Sequence, residues 1–151
     1  MNQQRREVLR VTALMSLMAA TGLISEAQAA TWNKAAFEAK SLNDVVKAFG
    51  GAGVEKSSAV TLNAPDIAEN GAVVPVGITT SLANVERLAI LVEKNPYALC
   101  ADFTLPAGTE PFVSTRVKMG QTSNVHALVK AGGKWYVATK EVKVTLGGCG
   151  G

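Results

Sequence analysis

The chain has 151 residues, is 48% hydrophobic and carries a formal net charge of +3 at pH 7. Its lysines are scattered and have few aromatic neighbours, so the sequence does not have the pattern of a nucleic-acid-binding protein. It contains two cysteines and one histidine, none at metal-ligand spacing, and we expect neither a metal site nor a cofactor. This size and composition are typical of one globular domain.

Residues 1–29 have the three parts of an export signal. A basic segment with the adjacent arginines Arg5 and Arg6 precedes an apolar run, residues 11–24, and the small-x-small cleavage site Ala27-Gln28-Ala29. Paired arginines indicate the bacterial twin-arginine pathway, and an ordinary secretory signal is the alternative. The apolar run is shorter than the about 20 residues that span a bilayer. We therefore predict a signal peptide that the twin-arginine export machinery reads and that is then removed, and a periplasmic protein without stable membrane insertion.

Residues 30–53 are predicted to form a short helical N-terminal segment. Ser41 and Asp44 have the spacing of a capping box and predict a helix over residues 42–49. The glycine-rich run 50–53 ends this helix, and we interpret it as a linker because no strand precedes it and no helix follows. An earlier apolar cluster at helical spacing consists of Trp32, Ala35, Ala36 and Phe37.

Residues 54–146 predict about seven short strands and no intervening helix, which favours an immunoglobulin-like antiparallel β-sandwich in a mainly β protein. Pro75 cannot donate to a sheet ladder, so its strand is expected at an edge or with a bulge. Gly132-Gly133 predicts a two-residue hairpin. The expected strands are 58–63, 71–78, 85–93, 97–105, 112–119, 124–131, 134–140 and 142–145.

The last five residues place one cysteine, Cys149, between two pairs of glycines. Glycine has no Cβ and gains little from packing, so residues 147–151 are predicted to be a flexible arm that exposes the thiol. At roughly 3.3–3.6 Å per extended residue, the sulfur would lie about 10 Å beyond Leu146. Such a thiol can hold a group covalently and present it to another protein. The four glycines of this carrier arm are Gly147, Gly148, Gly150 and Gly151.

Cys149 is predicted to be a modest nucleophile by itself. A free cysteine thiol has a pKa of about 8.5, and the C-terminal carboxylate two residues away disfavours the thiolate. The nearest cations in the sequence are Lys140 and Lys143. Because activation would have to come from a partner's pocket, the pattern suits a carrier better than an enzyme, and we assign no catalytic residue to this chain.

Cys100 and His126 both lie in strand-like apolar runs. Cys100 is predicted to be a core position; the alternative, a disulfide with Cys149, would immobilise the arm. His126 is predicted to be a half-exposed strand residue, and the alternative is a pair with Cys149.

The terminal motif, together with the twin-arginine leader, resembles the SoxY family, the sulfur carriers of the bacterial thiosulfate-oxidising Sox system. Residues 67–76 resemble the central segment of that family, and residues 93–96 followed by 103–105 resemble its next segment. The sequence departs from the family at Cys100, where we expect a small residue such as alanine.

The resemblance implies an immunoglobulin-like sandwich that forms a heterodimer with a SoxZ-type subunit, and a heterotetramer where two Cys149 thiols form a disulfide. It also implies three partner enzymes. A SoxAX-type cytochrome would join thiosulfate oxidatively to Cys149, a SoxB-type dimanganese hydrolase would release sulfate, and a SoxCD-type sulfane dehydrogenase would oxidise the remaining persulfide sulfur. The metals and haems would belong to those partners.

Two other functions are compatible with a C-terminal cysteine and glycines. A periplasmic interaction domain whose tail cysteine only cross-links would form disulfide dimers without sulfur adducts. A ubiquitin-like carrier would hold sulfur as a thiocarboxylate on Gly151, but it would need a cytosolic adenylating enzyme and a β-grasp fold. The export signal argues against this second alternative.

Overall fold

The computed structural model describes residues 32–145. Its residues from Asn33 onward belong to one compact unit. The two helices in this range are α1 (Lys34–Phe37) and α2 (Leu42–Ala48). The strands are β1 (Glu55–Lys56), β2 (Val60–Asn63), β3 (Ile67–Ala68), β4 (Val74–Thr80), β5 (Val85–Val92), β6 (Leu99–Thr104), β7 (Phe112–Val117), β8 (Ser123–Ala131) and β9 (Lys134–Val144).

The strands form two sheets. The larger sheet has the order β1-β9-β8-β5-β6, with β3 also pairing to β9, and the smaller sheet has the order β2-β4-β7. Pairing is antiparallel except where the two-residue strands β1 and β3 join β9 in parallel. The predicted fold class, a mainly β sandwich with a short helical N-terminal segment, is confirmed, while the predicted arm lies outside the described residues.

The main core fills the space between the sheets. Alternation along β7 predicts that Val113, Thr115 and Val117 point inward, and each is less exposed than its neighbours on the strand. Burying alternate side chains from both sheets is how a sandwich removes apolar surface from water. The fully buried members of this core include Val74, Ile78, Leu88, Ile90, Val92, Met119, Val125, Val129 and Val142.

A second core lies on the opposite face of the larger sheet. Residues Leu88 to Val92 of β5 are all completely buried, so this strand is covered on both faces. Ala89 and Leu91 pack with Val45 and Val46 of α2. The helical segment is therefore a third layer, because the β5 residues that alternate with the inter-sheet core are also apolar and need cover.

The helical segment confirms one prediction and corrects two others. Ser41 caps α2 by accepting a hydrogen bond from the Asp44 amide at 3.2 Å. In the predicted apolar cluster, however, Trp32 and Ala35 are exposed. Gly51 is also more than part of a linker, because a Cβ there would lie 2.5 Å from Trp135 Nε1. The glycine allows the chain after α2 to pass against the indole ring.

The strand that contains Pro75 is not at an edge. β4 is the central strand of the smaller sheet, and its pairings with β2 and β7 show no register shift. The pairing with β2 ends at Asn63 and Gly77, so β2 does not extend to Pro75. Proline is tolerated because β4 has lost one of its two neighbours at that point.

The C-terminal hairpin is longer than predicted. Gly132 and Gly133 form the turn with φ of 55° and 77°, which confirms the two-residue hairpin. Residues 134–140 and 142–145 were predicted as separate strands, but β9 runs without interruption from Lys134 to Val144. Pairing with β8 over its length and with β3 near its end keeps the strand continuous.

Candidate functional site: the root of the C-terminal arm

The residues predicted to carry sulfur lie outside the described part of the chain. They are Cys149 and its flanking glycines, Gly147, Gly148, Gly150 and Gly151; the signal arginines Arg5 and Arg6 also lie outside it. The structure does describe where the arm begins, at the end of β9.

Three segments hold the end of β9. β3 pairs in parallel with Lys143 and Val144. The Val144 amide donates to Thr122 Oγ1 at 2.9 Å, and the Thr145 amide donates to the Ala68 carbonyl at 3.1 Å. We call this held end of β9, with β3 and Thr122, the arm root. β3 has only two residues, too few to show strand periodicity, so the sequence pattern does not predict it.

The arm root limits where Cys149 can act. The residues from Thr145 to Cys149 span at most about 14 Å when extended. The thiol therefore stays near this end of the sandwich, and a partner must bring its reacting group there.

Of the two lysines nearest Cys149 in the sequence, one is already engaged. Lys140 Nζ lies 3.0 Å from Asp66 Oδ1 and donates to the Ala64 carbonyl at 2.5 Å. Lys143 has no acidic partner within 4 Å in residues 32–145. Lys143 is thus the cation at the arm root that remains available to an incoming anion.

His126 is buried rather than half-exposed, which corrects the prediction. Its side chain lies between Leu91 and Thr139 of the neighbouring strands, and the residue is 8% exposed. Nδ1 lies 2.8 Å from Thr139 Oγ1, and Nε2 lies 3.8 Å from Glu93 Oε2. Burial lowers the pKa of His126, and the Glu93 carboxylate partly opposes that effect.

A pair between His126 and Cys149 of the same chain is not expected. The part of β9 from Thr139, which neighbours His126, to Val144 is about 17 Å long. The residues after Thr145 would have to reverse direction and cover that length with an extended reach of about 14 Å. The histidine therefore has a local structural environment and does not serve the arm thiol.

Cys100 is a half-buried, free cysteine packed against the inter-sheet core. Asn95 Nδ2 lies 3.6 Å from its sulfur, which also lies 3.7 Å from the Ala98 carbonyl. Burial raises the pKa of the thiol, so the protonated form is favoured and its nucleophilicity is low. β6 lies three strands from β9, about 14 Å across the sheet. Cys100 also lies level with Thr139, about 17 Å along β9 from Val144, so its distance from the arm root exceeds the arm's reach of about 14 Å. Cys100 is not placed to share the chemistry of the arm.

Residues 32–145 contain neither a candidate metal centre nor a candidate membrane-spanning helix. No three His, Cys, Asp or Glu side chains in this range lie close enough together to hold a metal ion. Within the same range, no helix has the length and apolar character needed to cross a membrane.

Comparisons with known proteins identify the family of the chain. The family model described as sulfur oxidation protein SoxY matches residues 45–149, a range that ends at the arm cysteine. No curated protein matches the sequence.

Several solved structures are similar to the chain, among them a sulfur carrier protein and a superoxide reductase. The sulfur carrier protein SoxY from Chlorobium limicola f thiosulfatophilum is 38% identical, with a TM-score of 0.62, and the match covers 69% of this chain and 94% of that one. A superoxide reductase (neelaredoxin) from Ignicoccus hospitalis is 18% identical, with a TM-score of 0.50, over 56% of this chain and 79% of that one. This second likeness is one of fold alone. The family match and the 38% identity show that the chain belongs to the SoxY family.

Proposed function

We propose that the chain is a periplasmic sulfur carrier that binds thiosulfate-derived sulfur covalently on Cys149. The observation that carries the proposal is the SoxY family match, which extends along the chain as far as Cys149. The similar SoxY structure is described as a sulfur carrier protein, which supports the same role in the Sox system. The chain would work with partner enzymes and would not itself catalyse a step.

The arm root is suited to this role. Backbone pairing and Thr122 hold the end of β9, so the reach of Cys149 is measured from a defined point. Lys143 lies at that point and would attract an anion such as thiosulfate. In residues 32–145, Cys100 is the one cysteine, and its raised pKa makes it a poor competitor for the reaction.

The covalent step requires an oxidant. Cys149 and thiosulfate would form a sulfur–sulfur bond while the thiol loses its proton and a pair of electrons passes to a cytochrome of the SoxAX type. Water would then cleave the bond to the terminal sulfonate group in a SoxB-type hydrolase, releasing sulfate and leaving a persulfide on Cys149. A SoxCD-type dehydrogenase would then pass electrons from the outer persulfide sulfur to an electron acceptor while water supplies the oxygen atoms, leaving a sulfonate on Cys149. Hydrolysis would release this group as sulfate and regenerate the thiol.

The proposed carrier would form a heterodimer with a SoxZ-type subunit. The leader with Arg5 and Arg6 would export it through the twin-arginine pathway, which moves folded proteins and so permits a partner to be carried along.

Mass spectrometry of the intact mature protein tests the carrier role. After incubation with thiosulfate and the reconstituted partner enzymes, the protein is expected to carry thiosulfonate and persulfide adducts. Cys149→Ser should abolish them together with thiosulfate-dependent electron transfer, and Cys100→Ser, the matched control, should retain both. Disulfide dimers without any sulfur adduct would instead support an interaction domain with a cross-linking cysteine, and full activity of Cys149→Ser would refute the proposal.

A further inference from the structure

The smaller sheet has an outer face that is almost free of charge. Its side chains alternate with those that enter the inter-sheet core, and all but Gly77 are exposed. We call this surface the neutral face. Its members are Thr61, Asn63, Pro75, Gly77, Thr79, Phe112, Ser114 and Arg116.

The larger sheet provides an internal comparison. The part of its outer face near the arm root carries Glu93, Asn124, Glu141 and Lys143, the composition expected of a sheet surface in water. The neutral face has a single charged residue, Arg116. Depletion of charge around an aromatic residue and an arginine is typical of the centre of a protein–protein interface.

A shallow cavity on the neutral face could receive a side chain of a partner. Asn63, Pro75, Phe112 and Ser114 line a shallow cavity of about 320 Å³ beside Gly77. A Cβ on Gly77 would meet the Val113 carbonyl oxygen at 3.2 Å, so the glycine keeps the sheet surface low at this point. Phe112 remains 54% exposed at the margin. Burial of such an aromatic side chain against a partner would remove apolar surface from water and so stabilise the contact.

The surface continues around the free edge of β7. A groove of about 570 Å³ lies between β7 and the start of β6, and Tyr97, Arg116 and Lys118 are among its lining residues. Tyr97 is 53% exposed and lines the same groove as Arg116, and the exposed Phe112 lies on the same face of β7 as Arg116. Tyrosine and arginine are enriched among the residues that dominate binding energy.

The charges indicate a partner different from this chain. Arg116 has no carboxylate within 4 Å in residues 32–145, and the neutral face itself carries none. A second copy placed face to face would therefore offer Arg116 no acidic partner from its own neutral face. The sheet alone covers about 300 Å², less than the about 800 Å² that a stable interface needs from each side, so the β7 groove would have to contribute.

We propose that the neutral face and the β7 groove bind a different protein subunit, whose contacting surface is a flat, neutral sheet with a carboxylate opposite Arg116. This inference rests on the proposed function, which assigns the chain a SoxZ-type partner, and it adds the surface that binds that partner. The neutral face points away from the larger sheet, which bears the arm root. A subunit bound there leaves Cys149 accessible to the partner enzymes.

The proposal is tested with the mature chain and a co-expressed SoxZ-type subunit. Ser114→Arg puts a long cation at the centre of the neutral face and is expected to weaken the heterodimer by at least about tenfold. Ser58→Arg is the matched control, because Ser58 is also an exposed serine but lies outside this face; it should bind like the wild type. The affinity is measured by calorimetry, and thermal melting checks that each variant folds.

Two further measurements keep the test decisive if Ser114→Arg fails to fold. Arg116→Glu should also weaken the heterodimer, because it would repel the partner's carboxylate. In a Cys149→Ser background, the thiol of Ser114→Cys should react with a maleimide when the chain is alone and be protected in the heterodimer, whereas that of Ser58→Cys should react in both states.

The outcomes separate this inference from the carrier role. Unchanged affinity for Ser114→Arg and Arg116→Glu, or no protection at position 114, would overturn the docking surface while sulfur adducts on Cys149 could still form. If the chain instead forms a homodimer and Ser114→Arg dissociates it, the neutral face binds a second copy of the chain and the proposed different subunit is wrong. Absence of sulfur adducts would refute the carrier role even if the heterodimer formed through the neutral face.

Discussion

At the scale of single residues, burial determines the state of Cys100 and His126. The thiol of Cys100 is held in its protonated form beside the inter-sheet core, and its pKa is raised by that burial. His126 is held in its neutral form between two strands. Both side chains are thereby unsuited to the chemistry proposed for Cys149. From the sequence alone, however, cysteine and histidine are the residue types that first suggest a reactive site.

His126→Gln is expected to reduce the acid sensitivity of the fold. Because burial lowers the pKa of His126, the folded chain binds the proton more weakly than the unfolded chain, whose histidine pKa is about 6.5. The stability that this residue contributes is therefore complete above that pH and falls as the pH drops below it. Glutamine keeps a polar group near Thr139 and does not titrate.

Urea unfolding near pH 7.5 and near pH 5.5 would measure this effect. The wild type should lose more stability between the two conditions than the variant does. An equal loss in both proteins would contradict the assignment of a neutral, buried imidazole.

At the scale of elements, the helical segment completes the larger sheet. α2 covers Ala89 and Leu91 of β5, and the chain after it passes over Trp135. The Phe49 ring stacks on Trp135 with centroids 5.4 Å apart, and the Arg87 guanidinium lies 4.5 Å from the centre of the Phe49 ring. Trp135 thus serves packing between the helical segment and the larger sheet.

Gly51→Ala is expected to lower the free energy of unfolding by about 1–3 kcal/mol, the usual cost of overpacking a core. The added Cβ would lie 2.5 Å from Trp135 Nε1 and 2.6 Å from Val46 Cγ1. Gly53→Ala is the matched control, since a Cβ at Gly53 meets nothing within 4 Å. Denaturant unfolding compares the two variants; equal stabilities would mean that Gly51 does not fit against the indole ring as described.

At the scale of the whole molecule, the arm root and the neutral face lie on different sheets. The larger sheet bears the arm root, where β3 pairs with the end of β9. The smaller sheet presents the neutral face, which we propose binds a partner subunit. Because the two surfaces belong to different sheets, a stable partner and a series of transient partners need not compete for the same area.

The arm glycines are expected to matter for turnover and not for folding. Replacing both Gly148 and Gly150 by valine should leave the thermal midpoint unchanged, because these residues lie beyond the root that holds β9. It should slow thiosulfate turnover by about tenfold or more, because the new Cβ atoms would displace the sulfur in narrow active-site channels. Steady-state rates of the reconstituted system measure this effect. An unchanged rate would show that the absence of side chains at the arm glycines is not needed for turnover.

Local sequence patterns were enough to predict much of this protein. Strand periodicity, the Ser41 cap and the Gly132-Gly133 turn each depend on residues close together in the chain, and each is confirmed. The carrier cysteine was also identified from local sequence, since its glycine setting is specific; its role stays a prediction.

Only the tertiary structure decided the features that depend on distant residues. A proline at position 75 is tolerated in a central strand because β2 stops two residues before it. His126 is buried because Leu91 and Thr139 of the neighbouring strands flank it. The arm root likewise needs β3, Thr122 and β9 to meet. The periodicity of one segment does not show which other segment will lie beside it. The sequence by itself therefore determined the elements and the candidate thiol. Packing between distant strands determined what surrounds each of these residues.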